Sequence, residues 1–377
     1  MFVCAVTRRL RHAACASLFQ RVLSLSQVSR SYTDAPATVK QLNKPIKHWE
    51  LLISPFTKVR CHLGCNISVK SLDPHTFPEA DRALITVHVT DPNQTVNVDR
   101  FHVQYDDQSS ELEILADEMD SDVTVELTAP IKCDLQIRTK DKGNVKIQKM
   151  ESDLCHVHTE RGHCVLKSVK GHEVQVQSTG GNVTGLHTIH GNVDIGTSAD
   201  GNVDIRKIQG TTMNLCTEHG DLKVKAIYAE TTSVTTSSGN IQIGHVHGQA
   251  LVQSETGNIV IDSSSGALKV FTVSGNIDVY VGQDGTAELH SQEGAVSVRV
   301  PSTMKTAVQL CGVSVSINSD VTCEETERVS AEGKTAVTAH LNGSTFEERW
   351  IKATAEKAAV NLKTQSWFET LRLGAQS

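Results

Sequence analysis

The chain of 377 residues holds 36 Lys plus Arg against 43 Asp plus Glu, a net charge of −7, which excludes a sequence-independent nucleic-acid binder built on phosphate neutralisation. A composition of 38% hydrophobic and 4% aromatic residues, with 25 Gly but 8 Pro, is that of a folded, glycine-punctuated protein rather than a disordered or collagen-like one. No stretch approaches the roughly 18 uninterrupted apolar residues of a transmembrane helix.

Residues 1–33 carry Arg8, Arg9, Arg11, Arg21 and Arg30 and no acid before Asp34, with Leu10, Ala14, Leu18 and Val22 recurring every fourth residue. A basic, serine-rich, amphipathic leader of this kind predicts a mitochondrial transit peptide, processed between Arg30 and Thr33, and a matrix location. The apolar run Ala13 to Phe19 is short for a secretory signal, the competing reading. Loss of the five arginines would leave 31 basic against 43 acidic residues, near −12. Eight cysteines would remain, at 61, 65, 133, 155, 164, 216, 311 and 323, expected as free thiols in a reducing compartment. Sequons at Asn66, Asn93, Asn182 and Asn342 matter only if the chain is secreted.

After a linker at 34–47, residues 48–142 read as a β-rich N-terminal region with alternating segments at 84–89, 95–105, 112–115 and 123–127. No nineteen-residue register shows there, and a small β-sandwich and irregular opening coils both stay open.

From Gly143 a phrase repeats: Gly-Asn-Val-Lys-Ile, then Gly-Asn-Val-Asp-Ile at Gly191 and Gly201, and Gly-Asn-Ile-Gln-Ile at Gly239. The strongest glycines, 143, 162, 181, 201, 220, 239, 257, 275 and 294, stand 18 to 20 residues apart. Two residues after each lies an apolar side chain, Val145 through Val296, and four after it another, from Ile147 to Val298, interrupted once by Gly185. The residues between, such as Lys146, Asp204 and Gln242, are mostly polar, the outward phase of a period-two strand. Asparagine follows the glycine in six of nine repeats, and a hydroxyl residue precedes it by three in eight, a turn in which glycine is expected to supply positive φ. Identity at a nineteen-residue spacing is useful when equivalent residues stack about 4.8 Å apart. The fold class is therefore all-β, a parallel β-solenoid of about nine 19-residue rungs over 143–322, with C-terminal strands and a cap at 323–377. Within that last segment 346–357 is expected as a short helix, and Trp350, Trp367 and Phe368 as plugs of the open core.

The glycine-asparagine-aliphatic rung, the hydroxyl residue ahead of it and a β-rich lead-in ending at Ala129-Pro130 resemble an adhesin-like family of β-solenoid repeat domains, over residues from about 50 to the C-terminus. With its leader, the whole chain resembles a vertebrate mitochondrial member of that family. The resemblance implies a right-handed β-helix-like fold and no established enzyme activity. Its motif is architectural, so no catalytic or binding residue carries over.

Candidate chemistry is sparse. Cys155, His156, His158, His163 and Cys164 are the densest set of zinc-type ligands, but period-two counting sends the cysteines and histidines to opposite faces. Cys61, His62 and Cys65 lack a second ligand pair. His172, His187, His190, His245 and His247 form a titratable surface set. Among Asp194, Asp204, Asp221, Asp262 and Asp278, register forces no close pair, and the P-loop, dinucleotide and nucleophile-elbow motifs are missing. No catalytic, cofactor or metal residue is assigned. The functional expectation is a non-enzymatic mitochondrial module that binds protein along a threonine-rich, hydrogen-bonding face. The alternatives are a carbohydrate-active enzyme with its site where the N-terminal region meets the solenoid, or a secreted adhesin-like protein.

Overall fold

A computed structural model describes residues 45–89, 97–116, 122–318, 322–331, 333–343 and 349–365. The leader, Asn93, Trp367 and Phe368 lie outside the described residues. Every described element is a strand except one 3-10 turn at Val98–Arg100, and the strands join one hydrogen-bonded sheet.

The repeat columns become stacked strands. Val145, Cys164, Val183, Val203, Leu222, Ile241, Ile259, Ile277 and Val296 pair in parallel register, each with the next, and all are at most 1% exposed. Gly185 breaks the second column because its neighbours fill the space: a Cβ there would meet Ile205 Cγ2 at 2.8 Å and Ile189 Cδ1 at 3.0 Å. Each repeat holds a first segment after the glycine, a corner residue, and a second segment leading to the next turn. Met150, Val169, Ile189, Ile208, Ile227 and Val246 stack at the corner, and Ile137, Val157, Val176, Ile195, Leu215, Val234, Val252, Val270 and Leu289 in the second segment. The core is a continuous file of aliphatic side chains, which is why large aromatics are few.

The asparagines form a ladder along one edge, with each side-chain oxygen accepting the backbone N–H of the next repeat. Asn144 Oδ1 accepts from His163 N at 2.8 Å, Asn182 Oδ1 from Asn202 N at 3.0 Å, Asn240 Oδ1 from Asn258 N at 3.1 Å and Asn276 Oδ1 from Ala295 N at 2.9 Å. Asp221 and His163 substitute without interrupting it: Asp221 Oδ1 accepts from Asn240 N, and His163 Nδ1, unprotonated in this role, from Asn182 N. Asn240→Leu removes one acceptor from an exposed ladder bond and is expected to cost about 0.5–1.5 kcal/mol, whereas outward Gln242→Lys should change stability by less than about 0.5 kcal/mol. Equal shifts in the denaturant midpoint of the two variants would refute the register.

Both ends of the stack are interleaved. Strands Lys58–Leu63 and Asn66–Ser71 pair in parallel with Asp134–Thr139 and Val145–Glu151 on one side and with Glu111–Ala116 and Val123–Ala129 on the other. An early coil thus lies between two later ones, and 130–133 carries the chain past it. The ladder continues through this coil, since Asn66 Oδ1 accepts from Asn144 N at 2.9 Å. At the other end, Trp350–Ala355 and Ala359–Thr364 pair in parallel with Thr286–Ser291 and Val296–Val300 on one side and with Thr306–Gly312 and Ser314–Ile317 on the other. Antiparallel strands complete the edges: Arg82–Val89 and Lys47–Leu52 at the N-terminal end, Lys334–Leu341 and Cys323–Ala331 at the C-terminal end. The outermost strands carry Lys47 and Glu50, or Glu324, Glu327 and Arg328, charges that discourage edge-to-edge association.

Two expectations fail here. The described part of the expected helix at 346–357 is a strand, because Ile351, Ala353 and Ala355 alternate inward and the flanking strands supply partners. Trp350 accordingly does not plug the core: it points outward in that strand, with Lys352 Nζ 4.5 Å from its ring centroid, and Ile351 fills the core instead.

Candidate binding face

The zinc-type side chains between Cys155 and Cys164 lie on different sides of the strands. Cys155 and Cys164 are buried in the core, His156 and His158 point outward from Leu154–Thr159, and His163 is a ladder member. Among the described residues no three His, Cys, Asp or Glu side chains are grouped to hold a metal ion. Cys61 and Cys65 are likewise inside and His62 only partly buried. Burial pushes the thiols of Cys65, Cys133 and Cys155 up to about 12, and those of Cys61 and Cys164 well above the usual thiol range. Cys216 alone among the eight described thiols is exposed. Brief iodoacetamide treatment of native protein near neutral pH should therefore label Cys216 and leave these five unmodified until unfolding, as peptide mass spectrometry would read.

The histidine set is spread as well. His190 and His247 share one outward column, separated by Gln209 and Tyr228. His247 stacks on Tyr228 at 4.7 Å, with Lys207 Nζ 5.0 Å from the tyrosine ring.

Of the aspartates, Asp262 and Asp278 converge on a residue the sequence reading missed. Arg299 is nearly buried; its Nε donates to Asp278 Oδ1 at 2.7 Å, and its outer nitrogens donate to Gln365 Oε1 at 2.9 Å and Ile261 O at 3.1 Å. Asp262 Oδ1 lies 4.0 Å from the same guanidinium. Burial raises the Asp262 carboxyl, opposed by Arg299 and His245 and reinforced by Asp278. The guanidinium is shut in by its partners, so the cluster is a clamp between repeats and the C-terminal segment. Arg299 lies five residues beyond Gly294, an outward position by count, and its burial depends on Gln365 far along the chain.

The place where the N-terminal coils meet the repeats does hold a cleft, of about 610 Å³, lined by Leu72, Pro74, Phe77, Pro78 and Ile131 with Lys70, Asp73 and Lys149 at its margin. Its carboxylate, Asp73, is held below the usual range by hydrogen bonds from His75 N–H and the Thr76 hydroxyl.

The outward side of the second segments carries two further grooves. One, of about 430 Å³, spans the repeats from Cys216 to Gln292 and is lined by Thr235, Ser237, Gln253, Phe271, Val273 and His290. Val273 is 45% exposed, an apolar spot among hydroxyl and amide groups. The turn hydroxyls Thr217, Ser254 and Ser291 are already engaged, donating to Gly220 O, Thr256 O and Gly275 O. The threonine-rich face is therefore narrower than a count of hydroxyl residues suggests: the outward set Thr235, Ser237 and Gln253 belongs to it, and the buried set belongs to the turns. The other groove, of about 380 Å³, lies nearer the N-terminal end and includes His156 and His158.

The family model described as Toastrack DUF4097 matches residues 67–245 and, overlapping these, 191–340. Solved structures similar to the chain include a candidate adhesin from Parabacteroides merdae, 14% identical over 67% of this chain and 95% of that one with a TM-score of 0.41. Another, from Parabacteroides distasonis, is 12% identical over 84% of this chain and 96% of that one with a TM-score of 0.36.

Proposed function

The chain belongs to the Toastrack DUF4097 family, and from that premise we propose that it is a non-enzymatic binding module whose stacked repeats present the outward face of their second segments to a protein partner. The observation that carries this reading is the groove of Thr235, Ser237, Gln253, Phe271 and Val273. Hydroxyls and amides that both donate and accept surround a small apolar contact, an arrangement suited to a protein surface. The repeats supply this face on a rigid scaffold, so its donors are held in place before the partner arrives. We place the protein in the mitochondrion, the matrix in particular, on the strength of the arginine-rich, acid-free leader.

Proximity labelling from a C-terminal fusion, with the leader retained, tests both parts. The expected outcome is labelling of a restricted set of matrix proteins, one of which binds the purified chain and loses at least about fivefold in affinity on Gln253→Lys or Thr235→Lys. Labelling of secretory or surface proteins would overturn the location. Binding indifferent to both substitutions would overturn the face.

A further inference from the structure

We propose that the N-terminal end of this same face is a subsite for an extended acidic peptide, with Arg138 and His158 as its charge-reading residues; the proposal rests on the reading of the second-segment face as the binding surface. Three successive strands contribute pairs of outward side chains in strict register: Gln136 and Arg138, His156 and His158, Gln175 and Gln177. These six line the groove of about 380 Å³, and no carboxylate is among its lining residues. In a chain with 43 acidic against 36 basic residues, such a stretch is a local reversal of charge.

The arginine is also available. Arg60, Arg82, Arg161, Arg299 and Arg349 are each held by a carboxylate. Arg138 is exposed and has no carboxylate partner among the described residues. The acids nearby are engaged or peripheral: Asp134 Oδ1 accepts from Leu154 N at 2.8 Å, Glu173 Oε1 lies 3.2 Å from His156 Nε2, and Asp194 marks the next repeat, beside Gln175. His156 Nε2 faces Glu173 without a hydrogen bond to it, while His158 is exposed beside Arg138. The Gln177 side chain lies across Gly196 of the next repeat, since a Cβ there would meet Gln177 Oε1 at 2.4 Å.

The spacing selects the ligand. Same-face residues of a strand lie roughly 6.6–6.8 Å apart, so a peptide extended along these strands sets one acidic side chain over Arg138 and His158 and the next over Gln136 and His156. Arginine receives a carboxylate in bidentate fashion, and glutamine amides both donate and accept toward a peptide backbone. A single small anion would use only one corner of this grid.

The test is fluorescence anisotropy of labelled alternating Glu-Ser, Gln-Ser and Lys-Ser peptides with the full chain at low ionic strength. The Glu-Ser peptide is expected to bind about tenfold more tightly than the Gln-Ser peptide, the Lys-Ser peptide more weakly than either, and added salt to weaken the acidic peptide selectively. Arg138→Glu should cost about tenfold or more and His158→Gln a smaller factor, while Arg206→Glu, an exposed position on the first-segment face, should change nothing. Arg138→Gln, with no reversed charge, guards against misfolding and should still lose several-fold. Equal binding of the acidic and neutral peptides, insensitivity to both Arg138 substitutions, or complete displacement by low millimolar inorganic phosphate would each overturn the proposal. A protein partner that depends on Gln253 and Thr235 but not on Arg138 would overturn this subsite and leave the binding face standing.

Discussion

A chain ending at Gly343 will not form the C-terminal part of the stack, and adding residues 344–377 as a separate peptide will restore it. The reason lies in where the last coil sits. Trp350–Ala355 and Ala359–Thr364 occupy the middle of the C-terminal end, with repeat strands on one side and 306–317 on the other. Their removal opens a gap inside the sheet rather than shortening it. Ile351, Val360 and Leu362 are at most 1% exposed, and at about 1.5–3 kcal/mol for each large side chain their burial alone contributes roughly 6 kcal/mol. Two ladders of backbone hydrogen bonds on either side go with them, as does the Gln365 acceptor of Arg299. That loss is comparable with the whole stability of an ordinary domain, about 5–15 kcal/mol. The truncated chain should show early protease cleavage within 306–343 and a first unfolding transition absent from the full chain. Identical melting and proteolysis of the two chains would refute the interleaved arrangement.

Interleaving also has a kinetic meaning. A simple solenoid grows by adding each coil to the last, and its terminal coils fray against one neighbour. Here the coils at 58–71 and 350–364 each have two neighbours, so fraying at either end must first displace strands farther out in the stack. The cost is long-range closure. Asn66 meets Asn144 across 78 residues, and Arg299 meets Gln365 across 66. Contacts of that separation form late and slowly.

The parts of the fold legible in the sequence were those that repeat. Val145 through Val296 announced the core because a parallel stack places nineteenth residues on top of one another, and each repeat confirms the one before. The coils at 58–71 and 111–129 were hidden for the opposite reason: the chain leaves the stack between them, so no constant spacing links Ile67 to Val145 or to Val125. Asn66 was a ladder member without a period to reveal it. The segment at 350–355 was misread because Glu-Lys-Ala composition favours a helix in isolation, and only the strands on either side reverse that preference. On the candidate face, Thr235 and Gln253 could be placed by period-two counting. The groove at Arg138 could not, because the sequence shows which side a residue takes but not that Arg138 has no carboxylate partner among the described residues.

The repeat glycines were read correctly in position and incompletely in cause, and the difference predicts a contrast between two adjacent residues. Gly181→Ala is expected to destabilise the protein by about 3–5 kcal/mol, whereas Gly180→Ala should be neutral or stabilise by up to about 1 kcal/mol. Positive φ accounts for Gly239, Gly257 and Gly266, but neither Gly180 nor Gly181 has φ in the left-handed region. What Gly181 provides is approach. A Cβ there would lie 1.9 Å from Gly162 O and 2.5 Å from Gly162 C, atoms of the backbone one repeat away. The same collision recurs up the stack, at 1.9 Å between Gly162 and Gly143 O and 2.0 Å between Gly220 and Gly201 O. No side-chain rotation relieves it, so the two repeats must separate at the turn, where Gly181 N–H donates to Ser178 Oγ at 2.9 Å and the Asn182 ladder contact follows. At Gly180 the nearest atoms to a Cβ are Glu160 O at 3.8 Å and Arg161 Cγ at 3.9 Å, ordinary contacts, and alanine there narrows the unfolded ensemble without strain. Chemical denaturation of the two variants reads the difference directly. Similar losses would mean that the turn needs glycine for its dihedral angles; a large loss at Gly181 alone would mean that the spacing of the stack is set by glycine lying on the carbonyl of the repeat before it.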